Sequence, residues 1–294
     1  MAAGGIDNPH VAQYGYDDTY YVPQPSRWPL LSSLAATCLF SGFVLLFNDL
    51  PLGWSVSVVG LVAVLACMIG WWMDVASESE ASRYKVWEDV SFRWGMGWFI
   101  ASEVMFFAAF FGALFYARAI AVPDLASETS KVLWPSFQAG WPTKGPYGEV
   151  DFSTIGAFGI PALNTLILLT SGITVTWAHW AMKVNNRSQL VLGLAATVGL
   201  GLIFLGFQAY EYIHAYADLN LKLTSGIYGS TFFMLTGFHG LHVTVGTIAL
   251  MVILLRCLLG HFRPDNHFGF EAVAWYWHFV DVVWLALFVI VYWL

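Results

Sequence analysis

Apolar stretches recur along the chain, separated by short polar breaks. They run at about 28–47, 53–73, 94–118, 155–182, 190–214, 226–256 and 270–293. Each is about as long as the ~20 residues that cross a bilayer as a helix. Lipid offers the backbone no hydrogen-bond partner, so outside a closed barrel a spanning segment must be helical. The pattern predicts an all-α integral membrane protein with seven transmembrane helices. The sixth run exceeds a span and is expected to tilt or protrude.

The breaks set the grouping. Asn48-Asp49-Leu50-Pro51-Leu52-Gly53 is rich in breakers and predicts a tight turn, making 28–73 a two-helix hairpin. A charged linker, 74–93, separates it from 94–294, which reads as a five-helix bundle. Ahead of the hairpin lies a polar N-terminal tail, 1–27, without the basic start and apolar centre of a signal peptide. No internal repeat is visible, which weighs against a transporter built from inverted halves.

Lysine and arginine alternate in density between the two sides. Arg27, Arg83, Lys85, Arg93, Lys183, Arg187, Arg256 and Arg263 fall on one side; Arg118, Lys131, Lys144 and Lys222 fall on the other. The richer side is expected to face inward, which places the N-terminus inside, the 74–93 linker on the inner side and the C-terminus outside. The outer connection 118–154 is long and carries Pro123, Pro135, Pro142 and Pro146, so it reads as a functional or partner-contacting surface.

Composition agrees with a multi-span membrane class. The chain is 58% hydrophobic and 11% charged, outside the range of ordinary soluble domains. Its 15 Trp suit two interfacial belts. The net charge of −7 is spread over loops and tails and argues against a nucleic-acid partner. Cys38, Cys67 and Cys257 sit within apolar segments without CxxC spacing and read as small core residues.

Against this background, polar groups at membrane depth stand out. Glu103 lies ten residues in from Arg93, or roughly 15 Å at ~1.5 Å per residue, near the middle of the hydrocarbon. An ionised carboxylate there is costly, so Glu103 is expected to be neutral and hydrogen-bonded to His242 or, failing that, to His239. Glu211 lies towards the outer end of the fifth span. His239 with His242, and His278 with Asp281, are each spaced three apart and share a helix face. The histidine pair could ligate a metal or haem, although satisfied polar residues between helices are the simpler reading. His278 and Asp281 could relay protons, but a packed hydrogen-bonded pair is the simpler reading there. Gly226, Gly229, Gly237, Gly240 and Gly246 give the sixth span a small-residue face for close helix approach. No phosphate loop, nucleophile elbow, zinc motif or dinucleotide fingerprint occurs, so no metal and no catalytic residue is assigned to the chain.

Several of these residues lie in longer motifs. Arg93-Trp94-Gly95-Met96 leads to Ile100-Ala101-Ser102-Glu103-Val104-Met105-Phe106-Phe107. Tyr228-Gly229-Ser230-Thr231-Phe232-Phe233 leads to Thr236-Gly237-Phe238-His239-Gly240-Leu241-His242-Val243. Phe268-Gly269-Phe270-Glu271-Ala272 precedes Ala274-Trp275-Tyr276-Trp277-His278-Phe279-Val280-Asp281. Together they closely resemble the third subunit of the haem–copper oxidases, cytochrome c oxidase subunit III, from Trp28 onward. The resemblance implies a non-redox subunit in a V of two helices against five, with phospholipids in the cleft. It implies packing on subunit I, with subunit II in the same complex, and support for proton uptake and sustained turnover. Haem A and copper would belong to partner subunits, with no cofactor in this chain. Trp71, Trp72, Glu78 and Arg256 match the family's lipid-headgroup positions.

Alternatives are a quinol oxidase third subunit, a purely structural assembly subunit and an ion transporter. The hairpin at 28–73 favours the cytochrome c branch, and no row of polar residues supplies a transporter's wet path. A bacterial inner membrane is favoured over the mitochondrial one, and membership of a respiratory supercomplex is open.

Overall fold

The computed structural model describes residues 25–146, 148 and 151–294. All but the last three residues of the 1–27 tail lie outside the described residues. Helices α1 (Trp28–Phe47) and α2 (Gly53–Glu80) are followed by α3 (Val86–Tyr116), which continues through a π segment (Ala117–Ala121) into the short α4 (Val122–Leu125). Then come α5 (Ile160–Lys183), α6 (Arg187–Ala217), α7 (Gly226–Leu258) and α8 (Phe268–Leu287), the last extended by a π segment, Phe288–Trp293. Seven helices are long and apolar enough to cross a membrane, and no strand occurs among the described residues. The seven-span, all-α expectation is met.

The helix ends depart from the apolar runs, for a common reason. Most of the expected 74–93 linker is helical, with the break confined to residues 81–85. Apolar length reports only the part of a helix inside hydrocarbon, and backbone bonding continues into the polar zone where caps allow. Here Arg83 N–H closes onto Glu78 O at 3.1 Å, and Glu88 Oε2 accepts from Lys85 N–H at 2.9 Å at the start of α3. Likewise α3 and α4 run to Leu125, past the expected start of the connection. The wider π turn precedes Pro123, which has no N–H for the ordinary ladder.

The chain divides into two compact units, one ending at Phe92 and the other starting at Arg93. In the first, α1 packs on α2. In the second, α5 packs on α6, α6 on α7, α7 on α8 and α8 back on α5, a closed ring of four helices. Bulky rings fill its centre: Trp277, Trp284, Phe204 and Phe232 are all nearly inaccessible. Each buried indole has a partner, as burial demands. Trp277 Nε1 donates to Ser171 Oγ and Trp284 Nε1 to Thr165 Oγ1, both at 2.9 Å. Gly246 accommodates this packing, since a Cβ there would lie 2.9 Å from the Trp277 ring. By contrast, a Cβ at Gly240 would meet nothing within 4 Å, so the small-residue face of α7 is only partly used within this chain. Helix α3 attaches to the ring through aromatic contacts, with Phe106 5.0 Å from Phe238 and Phe107 6.1 Å from Phe279.

The connection after α4 folds onto one end of this unit. Trp141 and Phe152 pack on Tyr228 at 5.6 and 5.4 Å, and Ser153 N–H reaches Leu219 O at 3.0 Å.

Candidate functional site

Glu103 sits midway along α3 and His242 midway along α7, and the helices bring them together. His242 Nε2 lies 2.9 Å from Glu103 Oε2, and Nδ1 lies 2.6 Å from Phe238 O. A backbone carbonyl accepts only, so Nδ1 carries a proton. Nε2 then either carries the second proton towards a carboxylate or accepts one from a neutral carboxyl. Both side chains are largely enclosed, 21% and 13% exposed, and the imidazole is flanked by Phe107 at 5.0 Å.

His239 faces elsewhere. It is buried, its Nε2 approaches Val280 O at 3.2 Å, and its ring lies between Phe204 and Trp284 at 5.8 and 5.1 Å. The histidines three apart on α7 therefore do not converge on one ion or one haem. The alternative bond from Glu103 to His239 is not formed.

Glu211, on α6, is 1% exposed; its Oε1 accepts from Tyr292 Oη at 2.6 Å and from Gln208 Nε2 at 3.3 Å. Next to it, Tyr212 Oη and Thr236 Oγ1 are 2.7 Å apart. Sequence reading singled out Glu211 but not these partners, which come from three different helical segments.

His278 and Asp281 correct an expectation. Their closest approach is 3.9 Å, too long for the hydrogen-bonded pair anticipated from their spacing. A shared helix face brings side chains near without aiming them at each other, and α5 supplies a better partner. His278 Nε2 lies 3.2 Å from Thr176 Oγ1 instead. Asp281 is 7% exposed and sits against Gly172, whose Cβ would fall 2.6 Å from its Oδ2.

Of the positions matched to lipid headgroups, Trp71 and Trp72 are exposed by 48% and 60%. Glu78 accepts from Tyr84 Oη at 2.5 Å. Arg256, near the end of α7, stacks its guanidinium on Phe262 at 4.5 Å. Arg187 closes the same end of α7, with 2.6 Å to Phe262 O and 3.3 Å to Gly260 O.

One cluster escaped sequence reasoning altogether. His179 of α5 meets His267 and Glu271 at the start of α8, with one ligand-type atom from each within 4.8 Å of the others. The only signal was the four-residue spacing of His267, just ahead of α8, and Glu271 in its first turn. Arg93 pairs with Glu271 at 2.6 Å.

The sequence matches the family described as "Cytochrome c oxidase subunit III" over residues 18–294. Among relatives, it is 46% identical over 277 residues to "Cytochrome c oxidase subunit 3" of Marchantia polymorpha, covering 93% of this chain and 96% of that one. The proteins of the same name from Drosophila melanogaster and Danio rerio are 44% and 42% identical over 275 residues, with the same coverage. A match that spans nearly the whole chain, joined to seven spanning helices and an enclosed Glu103–His242 contact within the matched motifs, places this chain in the cytochrome c oxidase subunit III family.

Proposed function

We propose that the chain serves its oxidase complex without a redox centre of its own: it packs on subunit I in a complex that also contains subunit II, holds phospholipid, and supports proton uptake and sustained turnover. Haem A and copper belong to the partner subunits. The observation that carries this reading is the direction of the deep polar groups. His242 turns to Glu103, His239 to a backbone carbonyl, and Glu211 to Tyr292. Groups held in this way brace the bundle and form neither a haem seat nor a continuous relay.

Headgroup contacts fall to Trp71 and Trp72 on the first unit and to Arg256 on the second. Tryptophan suits the interface, and a guanidinium over the Phe262 ring is of the kind that grips a phosphate. The chain crosses its membrane several times with the N-terminus inside, as the Lys and Arg distribution favours.

Removing the chain from the complex tests the functional part of this reading. The depleted oxidase is expected to start at a near-normal rate and lose activity progressively during turnover. Undiminished durability would reduce the chain to an assembly scaffold.

A further inference from the structure

At the Lys183 end of the second unit, one imidazole from α5 and an imidazole and a carboxylate from the start of α8 come together. His179 lies one turn before the end of α5, His267 immediately precedes α8, and Glu271 is one turn into it. The imidazole rings are 5.5 Å apart and inclined at 59°. His179 Nε2 and His267 Nδ1 are both buried with no hydrogen-bond partner among the described residues. Buried ring nitrogens are ordinarily satisfied, so two bare ones beside the same carboxylate call for an explanation.

We propose that His179, His267 and Glu271 form a binding site for a divalent transition-metal ion of the zinc type. Two neutral imidazoles and one carboxylate are a recognised donor set for zinc, with the fourth position left to water. Such ligands suit zinc and its neighbours better than magnesium or calcium, which prefer oxygen alone. Metal–ligand bonds of about 2.0–2.2 Å in a tetrahedron place donors roughly 3.3–3.6 Å apart. The present separations, up to 4.8 Å, close to that by side-chain movements of about 1 Å.

Arg93 has two opposing effects. It engages Glu271 Oε2 at 2.6 Å, which fixes the carboxylate and leaves Oε1 to ligate. It also brings a positive charge towards the ion, so the site binds more weakly than a closed structural zinc site. All three residues are partly exposed while the two bare ring nitrogens face inward, so entry of the ion requires the side chains to move. Once bound, it would tie the end of α5 to the start of α8.

The test uses the intact oxidase complex, stripped of loosely held metal with a chelator and equilibrated with zinc at buffered free concentrations. The parent is expected to hold one zinc per complex more than His179→Gln or His267→Gln. His214→Gln, at the other end of the bundle, should match the parent. Without any substitution, acylation of His179 and His267 by diethyl pyrocarbonate, read by peptide mass spectrometry, should slow about tenfold at free zinc about ten times Kd, by mass action. Equal zinc in the parent and both variants, or labelling of the two histidines indifferent to zinc, would overturn the site.

Discussion

At the scale of single residues, the Glu103–His242 contact shows what a buried carboxyl can contribute. Interhelical hydrogen bonds within membranes are worth on average about 0.6 kcal/mol and up to about 1.7 kcal/mol. An alanine at 103 would lose the bond and leave His242 Nε2 facing empty space, whereas glutamine keeps both volume and a hydrogen-bonding edge. Glu103→Gln is therefore expected to retain the chain in the complex and leave protons pumped per electron nearly unchanged. Glu103→Ala should lower the temperature at which the chain dissociates. Loss of pumping in an intact Glu103→Gln complex would make Glu103 an obligatory relay and refute its role as a brace. This pair was legible in the sequence because depth counting from Arg93 and Arg256 puts both residues at similar levels. His278 and Asp281 were misread because spacing along one helix says nothing about competing partners on the next. His179, His267 and Glu271 stayed hidden because their meeting depends on how α5 and α8 pack, which no local pattern encodes.

Whole helices were read well where lipid leaves no alternative and less well where they leave it. The runs at 28–47 and 226–256 coincide closely with α1 and α7, while α2 and α3 run on into polar sequence. What joins α1 to α2 is also only partly visible in the sequence. Their interface depends on glycines: a Cβ at Gly60 would fall 2.4 Å from the backbone N and Cα of Leu39, which cannot yield. Without an apolar solvent difference to drive helices together, such close backbone approach supplies much of the association. Gly60→Val is expected to splay the hairpin and raise protease cleavage at the 48–52 turn in membranes. Gly199→Ala, on α6 where a Cβ meets nothing within 4 Å, should leave cleavage unchanged. Equal cleavage in both variants would show that the hairpin is held by something other than this contact.

At the scale of the molecule, two kinds of metal chemistry can be separated by where they travel. Two protein ligands to one haem iron must face each other across the ring plane, and a copper centre needs several soft or imidazole donors around one point. His239 and His242, the deep pair closest to that requirement, point to Val280 O and Glu103 respectively. The cysteines Cys38, Cys67 and Cys257 lie on different helices and gather no such set among the described residues. The donor cluster at His179 is of another kind, since nitrogen and oxygen ligands with one position open suit a closed-shell ion without electron transfer. Detergent removal of this chain from the purified oxidase is thus expected to leave haem A and copper per complex, and the visible spectrum, unchanged. The zinc bound after loading should fall by one equivalent and appear with the released chain. A drop in haem or copper that follows the chain, measured by elemental analysis of both fractions, would place a redox centre in it and contradict the division of labour argued from its side-chain geometry.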